Sequence, residues 1–250
     1  MQMTFKKKWG AVLVVGILVL SGCATTVQDE TIIDLSEKQW SALLDSGTLS
    51  NNQEYRTRVR AISQRLLIAA DENPSEWRIA VFENDNVVNA FALPNKAIGV
   101  FSGIIQIAAN DDQLATVLGH EISHVQLRHA QERLNSNLAP NVLIGIAKLP
   151  GAVTDVGVVK SAGSVVGTAI GAGTVLPFGR KQEFDADVNG VRIMAAAGYD
   201  PKQAAVFWGE IAKAQAKSGG AVPEFLSTHP SNEHRIERLQ QEAARLENGL

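Results

Sequence analysis

Only one cysteine, Cys23, stands in 250 residues, so no intramolecular disulfide can form and the fold must be held by packing and any bound metal. A basic surplus is missing too. The formal charge is −3 and the isoelectric point near 6.0, without the excess of lysine and arginine that neutralises phosphates, so the composition gives no support to nucleic acid as a partner. Long hydrophobic runs are also absent. The apolar stretch at residues 9–20 is short, and the one within 138–178 is interrupted by Lys148, Pro150, Asp155 and Lys160; a membrane-spanning helix needs about 20 apolar residues. What is present is an apolar content of 45%, enough for the core of one medium domain and too high for a chain disordered throughout.

At the amino terminus Lys6, Lys7 and Lys8 precede the apolar run, and small residues follow it, the layout of a secretory signal peptide over residues 1–22. Leu20-Ser21-Gly22-Cys23 resembles a bacterial lipobox. That resemblance implies cleavage before Cys23 and lipidation, palmitate included, of its thiol and new amino group. The alternative is an uncleaved anchor in which Cys23 is an ordinary residue. Ala24, in place of an aspartate, favours the outer membrane, with the domain facing the periplasm. Residues 23–53 then read as the lipidated cysteine and a polar tether, with a docking helix around Trp40.

From Glu54 to Ala70 the residues Val59, Ile62, Leu66 and Leu67 recur at helical spacing and predict an amphipathic helix ending before Pro74. Short β segments follow at 77–82, 87–93 and 97–101, separated by Asn, Asp and Pro-Asn breakers, which predicts a small antiparallel sheet. A short helix from Ser102 or Gly103 precedes a long one, capped at Asp111 or Asp112 and running through His124 to about Asn135. The Gly-rich stretch 138–178 reads as small-residue helices or a mobile flap, a candidate lid by its position in the chain. Helical patterning returns from Gln182 to Gly198, restarts at Pro201 and ends with a helix over about 232–246. The predicted class is mainly α with a small antiparallel sheet, an α+β fold.

His120-Glu121-Ile122-Ser123-His124 lies in the long helix, where a separation of four residues puts both imidazoles on one face. Both are apt ligands for zinc, and Glu121, on a neighbouring line of the helix, can act as general base for a zinc-activated water. The flanking Leu118, Gly119, Ile122 and Val125 are apolar or small, so this helix is expected to be buried, where an imidazole pair without a partner is costly. Glu183 and Asp187 share a face of a later helix. They read either as solvated surface acids or, beside a histidine pair, as the third metal ligand (Glu183) and a carboxylate orienting His120 through its free ring N–H (Asp187). His129 and His234 have no motif context and read as surface residues.

Taken in order, Asn89-Ala90-Phe91-Ala92-Leu93-Pro94, Val100-Phe101-Ser102-Gly103, the histidine motif, Glu183 with Ala186-Asp187, Ala197-Gly198-Tyr199-Asp200-Pro201, and His229-Pro230 with Arg235 resemble the HtpX and CAAX prenyl protease family, peptidase family M forty-eight. Its envelope lipoprotein members are the nearest in pattern. The likeness, over roughly residues 54–240, implies a gluzincin fold in 54–250 with the active-site helix carrying the motif, one catalytic Zn2+ per chain, and hydrolysis of misfolded or stalled envelope proteins as quality control. It further implies that Asn89, Ala90, Phe91 and Ala92 bind substrate as an added β-strand. His229 would either steady the oxyanion or cap the zinc in a latent state, unless it is simply part of a Thr-His-Pro turn. Arg235 would pack that region or assist the oxyanion.

The implied partners are unfolded or misfolded envelope proteins, the membrane through the Cys23 lipid, and the outer-membrane assembly machinery. Two other classes share the metal site: a non-proteolytic, metal-stabilised chaperone for outer-membrane proteins, and a zinc amidase acting on peptidoglycan stem peptides.

Overall fold

The computed structural model describes residues 29–137, 179–217, 225, 229 and 233–249. The signal-peptide, Cys23 and 138–178 lid expectations lie outside the described residues. Helix α1 (Asp29–Ser46) occupies most of the stretch read as a tether, and buries Ile32, Ser36, Trp40 and Leu43 at turn spacing. Helix α2 (Gln53–Ala69) starts where Asn52 caps it, its side chain accepting the N–H groups of Glu54 and Tyr55. It buries Val59, Ile62, Leu66 and Leu67, the stripe expected from the sequence.

Three strands follow: β1 (Arg78–Phe82), β2 (Ala90–Leu93) and β3 (Ala97–Phe101). The sheet order is β1-β3-β2, with β2 antiparallel to β3 but β1 parallel to it, so the sheet is mixed where a purely antiparallel one was expected. The cause is loop length. Residues 83–89 carry the chain past one strand position, and β3 returns into the gap through a tight hairpin. In that hairpin Lys96 N–H donates to Leu93 C=O and Lys96 adopts φ 57°, a type I turn followed by a left-handed residue. One sheet face packs Phe82, Phe91, Leu93 and Phe101 against Trp40 and Leu43 of α1. The other joins the main core with α2 and the central helix.

Helices α3 (Ser102–Ile107), α4 (Asp111–Gln126), α5 (His129–Asn137), α6 (Arg180–Ala196), α7 (Lys202–Lys217) and α8 (Glu233–Glu247) complete the described chain. Asn110 caps α4 by accepting Gln113 N–H, one residue before the expected cap. The single helix expected to run to Asn135 is two: Arg128 takes φ 57° and α5 starts at His129. No glycine or proline marks this break. α6 ends as Gly198 (φ 77°) lets Tyr199 N–H reach Met194 C=O, closing the helix before Asp200 caps the start of α7.

Candidate metal centre and active site

α4 is buried along its whole middle, from Gln113 through His124. It runs against α6 at a point where glycine meets glycine: a Cβ on Gly190 would sit 2.9 Å from His120 N, and one on Gly119 would sit 3.0 Å from Gly190 C=O. Only hydrogen side chains permit that approach, and it brings Glu183 and Asp187 of α6 up to the imidazoles of α4.

The Nε2 atoms of His120 and His124 are 3.0 Å apart. Glu183 places Oε2 3.6 Å from His120 Nε2 and Oε1 3.5 Å from His124 Nε2. His229 joins them, its Nδ1 standing 3.1 Å from His120 Nε2 and 3.0 Å from Glu183 Oε1. One donor atom from each of the four residues falls within 4.8 Å of every other, and all four are buried. A tetrahedral ion with ligand bonds of about 2.0–2.1 Å holds its donors roughly 3.3 Å apart, so these spacings suit zinc. The partnering points the same way: Glu121 Oε1 is a buried carboxylate oxygen without an aligned hydrogen-bond donor among the described residues.

Around the four, Asp187 Oδ1 lies 2.9 Å from His120 Nδ1, the ring nitrogen turned away from the cluster. Arg235 of α8 holds both acids. Its Nε and Nη2 pair with the two oxygens of Asp187, its Nη1 is 2.7 Å from Glu183 Oε2, and its guanidinium lies 3.7 Å over the Trp208 ring. Glu121 stands beside the cluster: Oε2 accepts the N–H of Ala92 in β2 at 3.0 Å, and Oε1 is 3.3 Å from His229 Nε2. His129, read from the sequence as a surface residue, is 3% exposed, with Nδ1 2.9 Å from His124 Nδ1. The turn at Arg128 folds it back; a linear helix, as the sequence suggested, would carry it away. His234 is exposed as expected.

Burial opposes charge throughout, and the local partners decide each outcome. For His120 burial lowers the pKa, but the carboxylates of Asp187 and Glu183 outweigh it and push the imidazole up to about 9. His124, held less closely by acids, is driven well below its usual value by burial. Burial raises Glu121. It raises Glu183 and Asp187 also, but His229 and Arg235 overcome it at Glu183, and Arg235 at Asp187, so both carboxyls stay below their usual range.

β2 is an edge strand packed along α4, and Ala92 reaches the site through Glu121; Asn89, Ala90, Phe91 and Ala92 are all buried. Phe91 and Asn89 face β3; Ala90 and Ala92 turn their backbone groups outward, where Glu121 takes the Ala92 N–H. Just upstream of β2, Val88 C=O accepts Phe225 N–H at 3.1 Å.

A buried helix with two histidines one turn apart, a carboxylate delivered by a second helix and a glutamate beside both define a metallopeptidase fold of the gluzincin type. The chain belongs to Peptidase family M48, whose family model matches residues 53–243. Metallopeptidases of this family use zinc. The chain is 30% identical over 213 residues to the mitochondrial metalloendopeptidase OMA1 of Arabidopsis thaliana, covering 85% of this chain and 40% of that protein. It is 34% identical over 195 residues to the mitochondrial metalloendopeptidase OMA1 of Saccharomyces cerevisiae, covering 73% and 54%. It is 28% identical over 199 residues to the beta-barrel assembly-enhancing protease of Escherichia coli (strain K12), covering 78% and 40%. The chain thus spans about half or less of the length of these relatives.

Proposed function

We propose that the protein is a zinc-dependent metalloendopeptidase in which His120, His124 and Glu183 hold one Zn2+ and Glu121 is the general base. The observation that carries this reading is the donor cluster at tetrahedral spacing with the unaligned Oε1 of Glu121 beside it. A zinc ion held there would supply Lewis acidity, polarising a peptide carbonyl and lowering the pKa of a water. The chain's own residues do the rest. Ala92 N–H fixes Glu121 by Oε2, leaving Oε1 to take the proton of the attacking water and return it to the leaving amine. Burial raises the Glu121 pKa, which makes the carboxylate a better acceptor. Asp187 holds His120 by Nδ1 so that Nε2 faces the ligand cluster. Substrate adds to the outer edge of β2, at Asn89, Ala90, Phe91 and Ala92.

His229 takes the fourth position of the donor cluster, so we read this arrangement as latent. Opening requires His229 to withdraw.

At the finer level the enzyme is an envelope protease anchored by lipid at Cys23 after loss of residues 1–22, facing the periplasm from the outer membrane, with 54–250 as its catalytic domain. Its substrates are misfolded or stalled envelope proteins. The lipobox pattern supports the location, and one set of relatives bears the name beta-barrel assembly-enhancing protease; others bear the name mitochondrial metalloendopeptidase, so the family alone does not select the compartment. The test is casein hydrolysis by the purified zinc-loaded protein beside Glu121→Gln, with bound metal quantified. We expect cleavage to vanish in Glu121→Gln while zinc stays. Zinc binding without cleavage of casein or any peptide would favour the chaperone or amidase chemistry instead.

A further inference from the structure

A groove with a volume of about 440 Å³ lies along β1, at the opposite edge of the sheet from the catalytic cluster. One wall is apolar: Leu44 and Leu49 line it, 37% and 47% exposed, together with the half-buried Ile79. The other wall is basic. Arg56 and Arg60, one turn apart on α2, are exposed and have no acidic partner among the described residues, and Arg78 closes the end, paired with Glu37. Among the described residues no acid lines the groove.

Its floor is an unfinished sheet edge. Arg78 N–H donates to Lys96 C=O on the β3 side, so in this parallel ladder the backbone groups of Ile79 and Val81 turn outward. The chain just before α2 covers only the far end of that edge, Ser50 N–H donating to Val81 C=O at 2.8 Å and Glu83 N–H to Thr48 C=O at 2.7 Å. Beyond Ser50 it leaves for the α2 cap. The N–H and C=O of Ile79 and the N–H of Val81 therefore meet the groove without a backbone partner among the described residues.

We propose that this groove is a docking site, separate from the catalytic cluster, for an extended acidic segment of a partner polypeptide. Such a segment adds a strand to β1 at Ile79, sets alternate apolar side chains against Leu44 and Leu49, and presents its carboxylates to Arg56 and Arg60. Charge selects this occupant over the chain's own 138–178 stretch, where Asp155 is the sole acid against Lys148 and Lys160. The site stands whether or not the protein cleaves what binds there.

The test is fluorescence anisotropy of the full chain with a labelled twelve-residue peptide alternating glutamate and valine, and with its lysine-valine counterpart. Saturable binding of the acidic peptide alone is expected, weakened about tenfold or more in Arg56→Glu/Arg60→Glu and less in Arg56→Gln/Arg60→Gln. Both pairs are exposed, so folding and zinc content should match the parent. Hydrogen exchange at Ile79 and Val81 should slow on adding the acidic peptide. Equal binding of both peptides, no binding, or binding indifferent to the double charge reversal overturns the proposal. So does concentration-dependent dimerisation abolished by that reversal, which would assign the groove to a second copy of this chain.

Discussion

His229 is the residue whose position makes the sharpest functional statement, because one imidazole touches both the ligand set and the base. Its Nδ1 is 3.0 Å from Glu183 and its Nε2 3.3 Å from Glu121. Replacing it with alanine removes a fourth donor and frees Oε1 of Glu121, so casein cleavage by His229→Ala should rise above the parent while one zinc remains bound. A fall in cleavage would instead give His229 a role in steadying the oxyanion. Asp187→Asn tests the orientation of His120: loss of the carboxylate at Nδ1 should weaken zinc binding by roughly 10–100-fold, read by competition with a chelating dye. His120 also makes a prediction in pH. In the metal-free protein its imidazolium is held up to about 9, so zinc must displace that proton, and calorimetry at pH 7.5 in buffers of different ionisation enthalpy should show about one proton released at this ring. The sign follows. Zinc affinity should rise with pH until about 9, while the stability that this raised pKa lends the metal-free fold is complete below its unfolded value and lost as pH rises toward 9.

Among the helices, the contact between α4 and α6 makes the ligand set possible, and it rests on two glycines. Gly190→Ala forces a methyl to within 2.9 Å of His120 N, so it should cost about 1–3 kcal/mol of stability and weaken zinc binding with it, measured by denaturant unfolding with and without the metal. The His-Glu-x-x-His spacing made α4 readable from sequence, because four residues are close to one helical turn, and Glu183 with Asp187 could be paired by the same period. Other features had no local signal. The turn at Arg128 contains neither glycine nor proline, so nothing in the chain announced that His129 would fold back to His124. The parallel pairing of β1 with β3 depends on where a seven-residue loop lands, and alternation of side chains is the same in either direction. Arg235 was legible only as part of a resemblance. That one guanidinium would bridge both carboxylates of α6 is a matter of how α8 packs, and the amphipathic pattern of α8 leaves its partner unspecified.

For the whole molecule, the metal cluster joins parts of the chain far apart in sequence: α4, α6 and residue 229 all supply donors, and α8 locks the acids through Arg235. With Cys23 its sole cysteine, the chain has no disulfide to share that work. Without a bound ion, two imidazoles, two carboxylates and His229 must share a dry volume in which His120 is charged and burial keeps His124 from charging. An ion that binds only the folded form therefore stabilises it by mass action, about 2.7 kcal/mol when free zinc is 100 times its dissociation constant. For a domain of this size that corresponds to roughly 5–10 °C in melting temperature. Scanning calorimetry of the chelated protein against a zinc series should show that rise, growing with the logarithm of free zinc. Hydrogen exchange should locate the gain in α4, α6 and α8 and leave the outer edge of β1 unchanged, because β1 is the sheet edge opposite β2, the strand that packs on α4. A melting temperature indifferent to zinc would mean that the four side chains come together without holding a metal, and the peptidase reading would fail with it.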